Sequence, residues 1–256
     1  MNNKFFEFRE NFLIDDKIRE VKELYNGGEF DQALSSIKSY IGNLQVSIDE
    51  KTSQDFYCFT KPIESFLFLK YSGKGDLRLL PFKGDLSSLY SLYGAILNSY
   101  GDRDNAIEKY LIAYNLNPYN VINLVRIATY YFNDDLDKSW KFLEDSFRFA
   151  ADEESLEMAY KGLRGYYIEK GNGENVAIID EILKGEGLEN LNVDVPLGYS
   201  SIIRQVIYEM AEIAKAENDS DGIEYCDKLL DRIEADGIGN IRKKEKVYKT
   251  TTLDDF

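Results

Sequence analysis

With 46 aspartates and glutamates in 256 residues, the chain has ample material for acid–base chemistry, so spacing decides whether any of it forms a centre. The run Glu217-Asn218-Asp219-Ser220-Asp221-Gly222 alternates oxygen donors ahead of a glycine, as calcium loops do. The twelfth position counted from Glu217 is Lys228, where such a loop needs a bidentate glutamate, so the run reads as a polar turn between helices. There is no histidine, which removes the commonest general base near neutral pH and the commonest zinc ligand together. Cys58 and Cys226 are too few and too distant in sequence for a thiolate zinc site, and read as free buried thiols of a reducing compartment. Gly73-Lys74-Gly75 lacks the spacing of a phosphate-cradling loop. No carboxylate pair is singled out by its neighbours. The expectation is no catalytic residue, no metal and no cofactor, hence not an enzyme, and binding is the chemistry left to explain.

The elements that would position a binding surface are most legible between Ser87 and Pro118. Gly94, Ala106 and Ala113 leave room for two antiparallel helices to cross closely, while Tyr90, Tyr93, Leu97 and Tyr110 fill the space around the crossing. Gly101 stands where a left-handed residue ends the first helix, Asp102 to Asn105 can cap the second, and Pro118 stops it. These nine landmark residues, from Tyr90 to Pro118, resemble the tetratricopeptide (TPR) repeat, a helix-turn-helix unit of about 34 residues.

Looser copies flank this one. Residues 121–154 carry Leu124, Ile127, Ala128, Tyr131, Ser139, Leu143 and Ser146, with Asn133-Asp134-Asp135 in place of the glycine; residues 155–187 carry Met158, Gly162, Gly165 and the Gly171-Asn172-Gly173 turn. Residues 14–47 and 201–236 read as outer TPR-like helix pairs. Residues 1–13 are expected to form a capping helix with Phe5, Phe8 and Phe12 on one face. Residues 48–86 read as a degraded repeat with a long loop, holding a helix near Lys61 to Tyr71. Residues 188–200 read as a linker and 237–256 as a tail. The resemblance implies an all-α, right-handed superhelical array of antiparallel helix pairs, a TPR-like α-solenoid.

It also implies a concave face lined by the first helix of each unit. Mapped onto this sequence, its peptide-binding positions include Asn98, Val125, Thr129, Phe132, Ala159, Leu163 and Tyr166, with Arg126 the cation placed to meet a carboxylate of a bound segment. The lysine and asparagine with which some relatives clamp a chaperone C-terminus are replaced by Ser91 and Ala95, so that clamp is not reproduced. The same aromatic positions also serve packing between helices. The implied function is a non-catalytic scaffold or adaptor for a protein or peptide; a peptide-sensing regulator that sequesters a partner and a structural subunit of a homo-oligomer are the alternatives.

Charge narrows the partners. A net charge of −15 repels a phosphate backbone, so nucleic acid is not expected. No stretch approaches the roughly 18 consecutive apolar residues of a membrane span, and the N-terminal residues lack a secretory signal's apolar core; a cytoplasmic location without membrane attachment is the expectation. The last sixteen residues differ, with five lysines and arginines against three acids. They read either as a solvated end or as a tail that docks on an acidic surface.

Overall fold

The computed structural model describes residues 12–49, 57–59, 61–72, 85–184 and 199–235. Every regular element among them is an α-helix: α1 (Phe12–Asn26), α2 (Phe30–Asp49), α3 (Pro62–Tyr71), α4 (Leu86–Ser99), α5 (Arg103–Leu116), α6 (Val121–Tyr131), α7 (Leu136–Phe149), α8 (Glu153–Glu169), α9 (Gly173–Lys184), α10 (Ser201–Glu217) and α11 (Ser220–Ala235). The expected capping helix lies almost wholly outside the described residues, as do most of the linker and the tail.

Local chemistry sets the helix starts. Side-chain oxygens of Asp85, Asn120, Asp135, Asp152 and Ser200 each accept the backbone N–H three residues on, and so open α4, α6, α7, α8 and α10. Within pairs, Gly28, Gly101 and Gly171 take φ of 79°, 77° and 69° at the turns α1–α2, α4–α5 and α8–α9. In that left-handed region a β-carbon is disfavoured. Asn218 does the same work between α10 and α11 at φ 55°, and the Asp219 carboxylate accepts from the Gly222 N–H. The acidic run is thus the turn between two helices. The α6–α7 turn uses Asn133-Asp134-Asp135 with no left-handed residue.

Each of α1–α2, α4–α5, α6–α7, α8–α9 and α10–α11 packs as a sequential pair, and α5 with α6, α6 with α8 and α7 with α8 join successive pairs. The α1–α2 pair buries Ile14, Ile18, Val21, Ala33 and Ile37 against Leu86, Leu89 and Ile96 of α4. A larger core runs through α6 to α11, where Leu143, Phe147, Leu163, Ile179, Ile203 and Cys226 have almost no exposure. Both cysteines are free and buried, and burial pushes the Cys58 thiol up to about 12 and the Cys226 thiol up to about 11.

Long-range packing departs from simple succession at α3. Ile63, Leu67 and Phe68 are buried in the core shared with α6 to α11, and the helices that α3 and α10 touch include each other. Lys61 pairs with Asp152, the α8 cap, at 2.5 Å, and Lys70 pairs with Glu209 of α10 at 2.7 Å. The buried Glu64 carboxylate accepts from the Asn117 amide at 2.9 Å, at the loop between α5 and α6. Tyr225 of α11 hydrogen-bonds to the Ile63 backbone. Among the described residues of 48–86, α3 thus links the α5–α6 loop, the start of α8 and the α10–α11 pair. The α10–α11 pair in turn rests on α3 and α7, and the Ser200 hydroxyl donates to the Arg148 carbonyl at 2.8 Å.

Candidate functional site

The residues expected along one face of α4, α6 and α8 divide into two groups. Val125, Ala159, Leu163 and Tyr166 are buried in the packing. The cause is the pair of glycines on α8. A β-carbon on Gly162 would stand 2.8 Å from both Val125 Cγ1 and Leu143 Cδ2, and one on Gly165 would stand 2.6 Å from Phe132 Cε2. Without those β-carbons α6 and α8 approach closely, and the apolar positions fill the seam between them. Tyr166 also meets Phe132 edge-on at 6.5 Å and lies 5.2 Å from the Trp140 ring. Asn98 and Thr129 are exposed, the Thr129 hydroxyl donating to the Val125 carbonyl at 2.8 Å. Phe132 is partly exposed.

Arg126 belongs to neither group. Asn123 and Arg126 lie three apart on α6, Ser87 and Ser91 four apart on α4, and the two rows meet. The Asn123 amide donates to the Ser87 hydroxyl at 2.9 Å, which donates onward to the Ala113 carbonyl at 2.9 Å. One turn along, Arg126 Nη1 donates to the Ser91 hydroxyl. The guanidinium carbon is 5.9 Å from the centre of the Tyr110 ring, within reach of a cation–π attraction. Burial pulls the guanidinium below the ordinary arginine value, and the groups that offset it are the Tyr110 and Tyr25 hydroxyls, with no carboxylate among them.

Lys61, Lys70, Arg103, Arg148 and Arg164 each meet an aspartate or glutamate, whereas Lys138 and Lys170, like Arg126, lie against tyrosine rings. Among the described residues, no group accepts from Arg126 Nε or Nη2, and neither atom is among those sealed from solvent without a partner.

A concave feature of about 700 Å³ lies on α10, and its walls include Arg204, Gln205, Tyr208, Glu209 and Ile213. Tyr208 is 53% exposed there. Sequence reasoning placed no site on this helix, which it read only as part of the outer pair 201–236. It also missed Tyr110 and Ser91 as the residues that hold Arg126, although Ser91 and Arg126 are both legible as neighbours once adjacent helices are set in register. Among the described residues, no group of three or more cysteines, aspartates or glutamates is arranged to hold a metal ion, and no helix is long and apolar enough to cross a membrane. Set against known proteins, the chain matches no family model, no curated protein and no solved structure.

Proposed function

We infer that the protein is a non-catalytic, TPR-like helical scaffold that binds a protein or peptide segment, and that its pairs continue one another as a right-handed superhelical array. The observation that carries this reading is the succession α4–α5, α6–α7, α8–α9, in which antiparallel pairs stack through α5–α6, α6–α8 and α7–α8 contacts. Stacked pairs leave a long surface made from many short helices, which suits an extended ligand better than a small enclosed one. The exposed Asn98 and Thr129 give the α4–α6 side of that surface polar groups to read such a ligand.

Photo-cross-linking tests it. Benzoylphenylalanine placed singly at Asn98 and at Thr129 is expected to join the same protein species in lysate, identified by mass spectrometry, while the same residue at the exposed Lys22 of α1 does not. Equal adducts at all three positions, or none at Asn98 and Thr129, would overturn the reading. The exposed Tyr208 beside the α10 depression favours a second reading, a subunit that associates with copies of itself. Self-adducts at Tyr208 without hetero-adducts elsewhere would favour it.

A further inference from the structure

The turn within each helix pair lies at one end of that pair, and contacts between successive turns set these ends along a single edge. The Tyr25 hydroxyl of α1 and the Ser99 hydroxyl of α4 share a hydrogen bond of 2.8 Å, and the Tyr100 hydroxyl donates to Asp31 of α2. Arg103 of α5 donates to the Tyr130 carbonyl of α6 at 2.8 Å and pairs with Asp134 of the following turn at 3.6 Å. Phe132 then meets Tyr166, near the end of α8. The turns α1–α2, α4–α5, α6–α7 and α8–α9 therefore form one continuous edge. Packed helices lie about 8–10 Å apart, so the turns recur roughly every 10 Å.

Two features run along this edge. One is aromatic: Phe30 and Tyr100 are 39% and 45% exposed and meet edge-on at 6.5 Å. The edge's own cations are seated on rings, Arg103 at 5.2 Å from the Tyr130 ring centre, Lys138 at 3.9 Å from that of Tyr131 and Lys170 at 5.2 Å from that of Tyr166, drawn by the negative ring faces. The other is one acid in the first turn of every second helix: Asp31 of α2, Asp104 of α5, Asp137 of α7 and Glu174 of α9. All four are exposed. Each answers the positive end of its own helix dipole, and stacking the pairs sets the four in a row.

We propose that this turn edge docks an extended basic segment of a partner protein, with a lysine or arginine at every third position, its cations set between the exposed rings and the row of acids. The spacing carries the assignment. An extended or polyproline chain advances about 3.1–3.3 Å per residue, so three residues cover the roughly 10 Å between turns. A net charge of −15 steers such a segment toward the molecule from a distance. The proposal goes beyond the scaffold reading, because it names the chemistry of the segment and uses side chains other than Asn98 and Thr129. Lys243, Lys246 and Lys249 of this chain have the same spacing and enter the test as the rival occupant.

Two peptides of one composition separate register from bulk charge. Acetyl-Lys-Ala-Pro-Lys-Ala-Pro-Lys-Ala-Pro-Lys-amide spaces its cations by three residues, and acetyl-Lys-Lys-Lys-Lys-Ala-Pro-Ala-Pro-Ala-Pro-amide clusters them within reach of two turns. In calorimetric titrations of the unmodified protein at about 0.1 M ionic strength, the spaced peptide is expected to bind at least about fivefold more tightly, since each exposed ion pair contributes up to about fivefold. Asp104→Asn with Asp137→Asn should weaken the spaced peptide by about fivefold or more. Glu212→Gln with Glu224→Gln removes the same charge from exposed acids of α10 and α11 and should change its affinity less than about twofold, helicity being unchanged by circular dichroism in both. The triple variant Lys243→Gln, Lys246→Gln, Lys249→Gln is expected to bind as the unmodified protein does. Equal affinities for the two peptides, or equal losses in the two double variants, would overturn the proposal, and a gain of about tenfold in the triple variant would give the edge to the chain's own residues instead of a partner's. The spaced preference without adducts at Asn98 and Thr129 would keep the edge and retire the scaffold; adducts without the preference would do the reverse.

Discussion

Gly94 of α4 lies directly under the Tyr110 ring of α5: a β-carbon on Gly94 would stand 2.5 Å from Tyr110 Cε1 and 2.9 Å from the Ala106 carbonyl oxygen. Neither neighbour can give way cheaply, since one is a buried ring and the other is backbone. Gly94→Ala is therefore expected to destabilise by ~1–3 kcal/mol through overpacking, although alanine is the better helix former by about 1 kcal/mol. Gly42 of α2 is the internal control, because nothing lies within 4 Å of its β-carbon position. Gly42→Ala should stabilise by roughly 0.5–1 kcal/mol. Thermal melts followed at 222 nm would read the two as opposite shifts, at about 2–4 °C per kcal/mol for a chain of this size.

Because Tyr110 also flanks Arg126, the same crossing that excludes a β-carbon at Gly94 also steadies the guanidinium.

The turns offer a second comparison. Asn218 occupies the left-handed region at φ 55° where its counterparts Gly28, Gly101 and Gly171 are glycines. Asn218→Gly is expected to be stabilising by a few tenths of a kcal/mol, and Gly101→Ala destabilising by ~1 kcal/mol or more, since a β-carbon costs about 1–2 kcal/mol in that region. Urea midpoints at constant m-value would check both.

Acidity gives a third. Burial raises the Asp85 carboxyl to about 6, against the opposing hydrogen bond from the Ser88 N–H, and the nearby Glu64 charge adds to the rise. An acid whose folded value lies above its unfolded one of about 3.9 favours the folded state when protonated. Its contribution is therefore most favourable at low pH and is lost as pH rises through about 6. Asp85→Asn, which keeps the helix cap, should raise stability at pH 7.5 and leave it nearly unchanged at pH 3, below the unfolded value. Chemical denaturation of both proteins at the two pH values measures this; a uniform loss would mean that the carboxylate itself holds α4.

A fourth concerns the face of α6. Val125 is packed into Gly162 and Leu143, whereas Thr129, one turn on, is exposed. Val125→Glu should abolish cooperative unfolding by burying an unpaired charge, and Thr129→Glu should shift stability by no more than about 0.5 kcal/mol. Only the second substitution can report on binding.

Much of the helix pairing was legible because it is encoded locally. Gly101 and Pro118 punctuate α4–α5, Gly171 punctuates α8–α9, and small residues recur opposite large ones. What could not be read was anything set by register between helices. An apolar residue facing a ligand and one facing a neighbouring helix have the same spacing, so Val125, Ala159, Leu163 and Tyr166 read as surface until Gly162 and Gly165 are seen to draw α6 and α8 together. The resting place of α3 was illegible for the same reason, since its partners Asp152 and Glu209 lie 91 and 139 residues away.

That helix changes how the chain should come apart. In an array where each unit touches only its neighbours, the ends can peel away one unit at a time, and folding can begin anywhere. Here α3 acts as a cross-brace from the first third of the chain to the last helix pair, so α10 and α11 cannot peel off without breaking contacts made by residues 57–72. Closing such long loops slows the approach to the native state. In return, it ties distant units into one cooperative transition, and the molecule resists fraying at its C-terminal pair.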